Sequence, residues 1–89
     1  MLERDIEKAL VAHIKSLGGT CEKFVSPMRS SVPDRLVTLP NNAISFVECK
    51  RPGAKPTKAQ LRDHDRRRAL GCTVHVIDSI EGIYNAYPR

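Results

Sequence analysis

Two short apolar runs divided by Pro40-Asn41-Asn42 constrain this chain more than any other feature. The first, Leu36, Val37 and Leu39, follows Val32-Pro33-Asp34-Arg35; the second, Ala43, Ile44, Phe46 and Val47, leads into Glu48-Cys49-Lys50. Apolar runs on either side of a Pro/Asn turn predict a β-hairpin, and a hairpin brings its two open ends side by side. Asp34 then stands beside Glu48. Residues two apart on a strand project to one face, so Glu48 and Lys50 point together while Cys49 turns the opposite way. The chain is expected to gather Asp34, Glu48 and Lys50 at one place.

Two carboxylates a few Å apart repel and are costly to keep ionised without a positive charge between them. A hard divalent cation suits that position, because it takes oxygen ligands and keeps several waters. An ammonium group alongside can orient or deprotonate a water, or stabilise charge growing on a phosphate. These are the parts of a metal-assisted phosphodiester hydrolysis. Acid-x-lysine alone is a common surface ion pair. It is Pro33-Asp34 at hairpin distance that turns the pattern into a candidate site.

The flanking segments support one α/β domain spanning residues 1–89. Leu2, Ile6, Ala9, Leu10, Ile14 and Leu17 recur at helical spacing, and Gly18-Gly19 ends the helix. Glu7 lies on the shoulder of that apolar stripe, where it can reach a site on the neighbouring sheet; Glu3, one turn earlier, is its rival. Thr20 to Val25 reads as a first strand and Ser26 to Val32 as a loop. Thr57-Lys58-Ala59-Gln60 has the form of a capping box, opening a second helix that runs to about Leu70 and is closed by Gly71. Its narrow packed edge is expected to consist of Ala59, Leu61, Ala69 and Leu70, opposite a broad basic face. Gln60 fits either a purely capping role or one facing the site. Cys72 to Ile77 is a β-branched run, and Ser79 caps a short last helix from about Ile80 to Ala86. The order is α-β-β-β-α-β-α around a mixed sheet.

Fifteen Lys and Arg against ten Asp and Glu leave a net charge of +5, and eight of the basic residues fall between Lys50 and Arg68. That surplus favours a polyanionic partner, nucleic acid first. With four aromatic residues and no Trp, base stacking is poorly supported, and the charge should act on backbone phosphates. Three cysteines, Cys21, Cys49 and Cys72, form no C-x-x-C pair and are expected as reduced thiols. His13, His64 and His75 have no zinc spacing and read as structural or surface residues. No phosphate-binding glycine loop points to a nucleotide cofactor, and no apolar run reaches membrane-span length. A soluble, cytoplasmic protein with no membrane partner is expected.

Taken together, Glu7, Val32-Pro33-Asp34-Arg35, Val47-Glu48-Cys49-Lys50 and Thr57-x-x-Gln60 resemble the PD-(D/E)XK nuclease superfamily, and within it the small, stand-alone, phage-type VRR-NUC branch. The resemblance extends to Lys23-Phe24-Val25-Ser26-Pro27 and to Leu70-Gly71-Cys72-x-Val74, and so covers nearly the whole chain. It implies a restriction-endonuclease-like αβββαβ core, with a short C-terminal helix added. It further implies Mg²⁺ or Mn²⁺ held by Asp34, Glu48 and the main-chain carbonyl of Cys49, with Glu7 contributing directly or through water. Lys50 would be the catalytic lysine, Gln60 a supporting residue, and the Cys49 thiol dispensable. DNA would be contacted by Lys23, Ser26, Arg29, Arg35, Arg51, Lys55, Lys58, Arg62, Arg66 and Arg67. Such proteins resemble Holliday-junction resolvases that cut branched DNA as homodimers. Alternatives are a flap or fork nuclease, and a non-catalytic basic DNA-binding subunit.

Overall fold

The computed structural model describes residues 1–89. Helix α1 (Glu3–Ser16) is followed by strands β1 (Thr20–Lys23), β2 (Arg35–Leu39) and β3 (Ala43–Cys49), then α2 (Lys58–Ala69), β4 (Val74–Ile77) and α3 (Ile80–Ala86). The strands form one mixed sheet in the order β1-β2-β3-β4, with β1/β2 and β2/β3 antiparallel and β3/β4 parallel. This is the mixed sheet with flanking helices that the pattern predicts. Two strands are shorter than expected: β1 ends at Lys23 rather than Val25, and β4 begins at Val74 rather than Cys72.

The hairpin closes through a single 3₁₀ turn, Pro40–Asn42, in which Asn41 and Asn42 both take positive φ (69° and 61°). Asparagine tolerates that region better than most residues with a β-carbon. The turn fixes the register: Arg35 is opposite Val47, and Leu39 opposite Ala43. One step beyond Arg35/Val47, Asp34 reaches the level of Glu48.

Alternation along β3 divides the molecule. Val47 and Cys49 face one side and join Ile6, Leu10 and Ile14 of α1, Val37 of β2, Ile77 of β4, and Ile83 and Tyr87 around α3 in the buried core. Helices α1 and α3 pack together on that side. Tyr87 ties the layer to the sheet: its hydroxyl shares a short hydrogen bond (2.5 Å) with Ser45, and its carbonyl lies 2.6 Å from His13 Nε2. Phe46 and Glu48 face the opposite side, which α2 covers.

Helix α2 departs from the sequence expectation. Leu61 and Leu70 are exposed, and Ala69 is exposed with them. Of the expected edge only Ala59 is half-buried; the face turned inward carries Gln60, Asp63, His64 and Arg67, at positions i, i+3, i+4 and i+7. Asp63 and His64 are fully buried. Asp63 pairs with Arg66 and Arg67, and the Arg67 guanidinium lies 5.1 and 4.9 Å from the Phe24 and Phe46 ring centres. Cation–π contact and ion pairing here do the packing that leucines do elsewhere. The sheet face below carries a carboxylate, so a polar helix face matches it better than an apolar one.

At the helix-to-strand connection, Gly18 takes φ +83° and ends α1, while Gly19 is needed for space. A β-carbon on Gly19 would stand 2.5 Å from the Thr38 carbonyl oxygen and 2.8 Å from Leu39 Cδ2. Gly19→Ala should therefore destabilise the fold by about 1–3 kcal/mol. Circular-dichroism melting should show Tm lowered by about 4 °C or more; an unchanged Tm would mean that the end of β2 moves aside freely.

Candidate active site

The site forms where β3 leaves the sheet. Asp34, just ahead of β2, accepts the Cys49 backbone N–H on Oδ2 at 2.8 Å, and its own carbonyl accepts the Phe24 N–H at 2.9 Å. Pro33, buried immediately before it, fixes φ at the point where the loop enters the strand. Asp34 is thereby held against the main chain of Cys49. Glu48 is 1 % exposed, and its carboxylate meets four neighbours. Gln60 Nε2 donates to Oε2 at 3.3 Å, Lys50 Nζ lies 3.7 Å from the same oxygen, and His64 Nε2 lies 3.4 Å from Oε1. The fourth is the Asp34 carboxyl, close enough for its charge to act on Glu48.

Burial, and after it the neighbouring Asp34 carboxyl, pushes the Glu48 carboxyl up to about 8, against a smaller opposing pull from Lys50. Glu48 therefore holds its proton near neutral pH when no cation is present. Burial also pushes the Cys49 thiol well above its usual range, and pushes His64 down towards its neutral form, with Arg68 adding to the latter.

Gln60 resolves the two roles left open for it by filling both. Its Oε1 accepts the Thr57 N–H at 2.9 Å while Thr57 Oγ1 accepts the Gln60 N–H at 3.1 Å, closing the capping box. Its amide nitrogen is left for Glu48. His64 is the residue that the sequence reading passed over; its spacing of four from Gln60, one turn along the same helix face, is the signal that marks it.

Glu7 and Glu3 both line a cleft of about 460 Å³ together with Asp34, Lys23, Ser26 and Arg29. Their carboxylates differ in engagement. Glu7 accepts from Arg35 Nε at 2.8 Å, and Arg35 Nη1 donates to the Cys21 carbonyl at 3.2 Å, whereas Glu3 makes no ion pair. Arg35 and Arg67 are thus engaged within the protein. Lys23, Arg29, Arg51, Lys55, Lys58, Arg62 and Arg66 are exposed. Arg29, Arg62 and Arg66 line a second cleft, of about 300 Å³, between the 26–33 loop and α2. No three side chains among the acids, histidines and cysteines form a ready cation cage; the expected set is two carboxylates plus a main-chain carbonyl.

The raised Glu48 carboxyl has a consequence for stability without a metal. Its folded value lies above its ordinary one, so the stability it contributes is complete below about pH 4.5 and is lost as pH rises to about 8. In chelator, Glu48→Gln should gain on the wild type across that window. The Tm difference between them should widen by about 4 °C or more, read by calorimetry at several pH values; a constant difference would contradict a proton held on buried Glu48.

No protein-family model matches the chain. A curated phage protein, "Putative nuclease p44" of Acyrthosiphon pisum secondary endosymbiont phage 1, is 60% identical over 77 residues, covering 86% of this chain and 83% of that one. A solved structure described as a "VRR_NUC domain" superposes with a TM-score of 0.88 at 34% identity, covering 98% of this chain and 97% of the other. A shared fold over almost the full length of both, with the identity to the phage nuclease, settles the family: the chain belongs to the VRR-NUC nucleases.

Proposed function

We propose that this protein is a divalent-metal-dependent, structure-selective DNA endonuclease, and specifically a Holliday-junction resolvase working as a homodimer. The observation that carries the reading is the meeting of Asp34 and Glu48 at the open end of the hairpin, with Lys50 on the Glu48 side. A buried Glu48 that keeps its proton beside a half-buried Asp34 suits a cation that displaces that proton. Asp34, Glu48 and the Cys49 carbonyl would hold Mg²⁺ or Mn²⁺, with Glu7 acting through water. When bound, the ion would supply a Lewis acid for the phosphodiester and a more acidic water.

The chain's own residues supply the rest. Lys50 is buried enough for its ammonium group to keep a fixed place, and it stabilises negative charge gathering on the phosphate. Gln60, locked by the helix cap, holds Glu48 in one orientation. Arg35 holds Glu7 at the cleft wall. Lys23, Ser26 and Arg29 on one side, and Arg62 and Arg66 on the other, present donors to backbone phosphates as they pass the site. Arg51, Lys55 and Lys58 extend the positive surface beyond Lys50. Two symmetrical cuts in a four-way junction need two such sites, and a domain with one acid-acid-lysine cluster provides them by pairing with a second copy.

The decisive assay is purified protein with Mg²⁺ or Mn²⁺ on four-way junctions, flaps, forks and linear duplex side by side. Paired nicks in the junction, strongly preferred over duplex, are expected. Preference for the flap would make it a flap nuclease, and no cleavage of any substrate would leave a basic binding subunit. Asp34→Asn should abolish cleavage while junction affinity is kept, and Lys50→Ala should lower kcat by about 10²–10³-fold. Arg62→Ala with Arg66→Ala should weaken binding and flatten its salt dependence by about two counterions, measured by fluorescence anisotropy. An unchanged salt slope would take α2 out of the contact surface.

A further inference from the structure

Two residues of α2 end on one carboxylate. Gln60 Nε2 donates to Glu48 Oε2 at 3.3 Å, and His64 Nε2 stands 3.4 Å from Glu48 Oε1. Each oxygen of Glu48 thus has its own nitrogen, from positions one helical turn apart. The Gln60 amide is not free to turn over, because its oxygen must face the Thr57 N–H.

His64 has less choice still. It is completely buried, and its Nδ1 has no partner. With Glu48 ionised, as a metal ligand is, a proton on Nδ1 would leave a buried N–H with no acceptor and aim the bare Nε2 lone pair at a carboxylate oxygen. A proton on Nε2 gives Glu48 a donor and leaves only a lone pair unmatched. As packing, an imidazole is poorly suited to this place, since an aliphatic side chain of similar size would fill it with no orphaned nitrogen.

We infer that His64 is a positioning residue for the metal site: its Nε2–H holds one oxygen of Glu48 as Gln60 holds the other, setting the plane of that carboxylate before any cation arrives. The inference rests on the reading of Glu48 as a metal ligand. The donor also belongs to the helix whose outer face carries Arg62 and Arg66, so the basic surface and the carboxylate are fixed by one rigid element.

The test compares wild type, His64→Leu and His64→Gln, all without DNA. Leucine removes the donor; glutamine restores an N–H at about the reach of Nε2. Mn²⁺ is titrated calorimetrically into each, and Tm is recorded in chelator. His64→Leu should melt at or above the wild-type Tm yet bind Mn²⁺ about 10–100-fold more weakly, the usual effect of losing a residue that orients a ligand. His64→Gln should recover most of that affinity. Nitrogen NMR of wild-type imidazoles should find the His64 proton on Nε2. On a four-way junction, His64→Leu should need more Mn²⁺ for half-maximal kcat at an unchanged KM for DNA.

Mn²⁺ affinity in His64→Leu within about twofold of wild type would overturn the inference. So would a folded His64→Gln no better than His64→Leu, or a proton on Nδ1. If His64→Leu does not fold, His64→Met serves as the variant without a donor. Wild type that binds no Mn²⁺ would instead overturn the metal-centred reading, and this inference with it.

Discussion

A buried carboxyl group, Glu48, set beside a second and half-buried one, Asp34, is the constraint that the rest of this molecule answers. Nothing in the hydrophobic effect gathers them. They meet because the Pro40–Asn42 turn sets a register that leaves Asp34 level with Glu48, and because Asp34 is tied to the Cys49 N–H. The apolar layer of α1, α3 and the sheet makes that register worth keeping. Core and site are thus joined through a shared strand, and the cost of crowding two acids is met by folding energy gathered on its other side.

The same constraint accounts for α2. A helix that used only leucines over a sheet face bearing a buried acid would leave that acid without a partner, and this one turns in Gln60, Asp63, His64 and Arg67. Nearly every polar group then finds a partner: Gln60 and His64 Nε2 on Glu48, Asp63 on two arginines, and Arg67 against two phenylalanine rings, with His64 Nδ1 the exception. Such an interface rewards completeness, because a half-satisfied polar layer is worse than an apolar one.

What the sequence revealed follows the strength of its local signals. The hairpin, the α1 stripe, the Thr57/Gln60 cap and the Ser79 cap are each fixed by neighbours in the chain, and the structure has them within a residue or two. Asp34, Glu48 and Lys50 were legible because strand alternation and a turn suffice to place them. The inward face of α2 was not. Hydrophobic periodicity picks Leu61 and Leu70, both exposed, since it presumes an apolar layer beneath. His64 was obscured for the same reason, as its role depends on a carboxylate sixteen residues earlier in the chain. The engagement of Glu7 with Arg35, twenty-eight residues away, likewise needed three dimensions.

Strand β3 is a wall with two sides, Val47 and Cys49 lining the core and Phe46 and Glu48 facing α2. Displace it by one residue against β2 and the two sides trade places: a thiol and a valine would be turned outward, and an acid would be driven among isoleucines. No misaligned hairpin of this chain can be both packed and chemically competent. Fidelity of strand pairing therefore acts as a safeguard, since a misfolded copy of a nuclease would be an inert one.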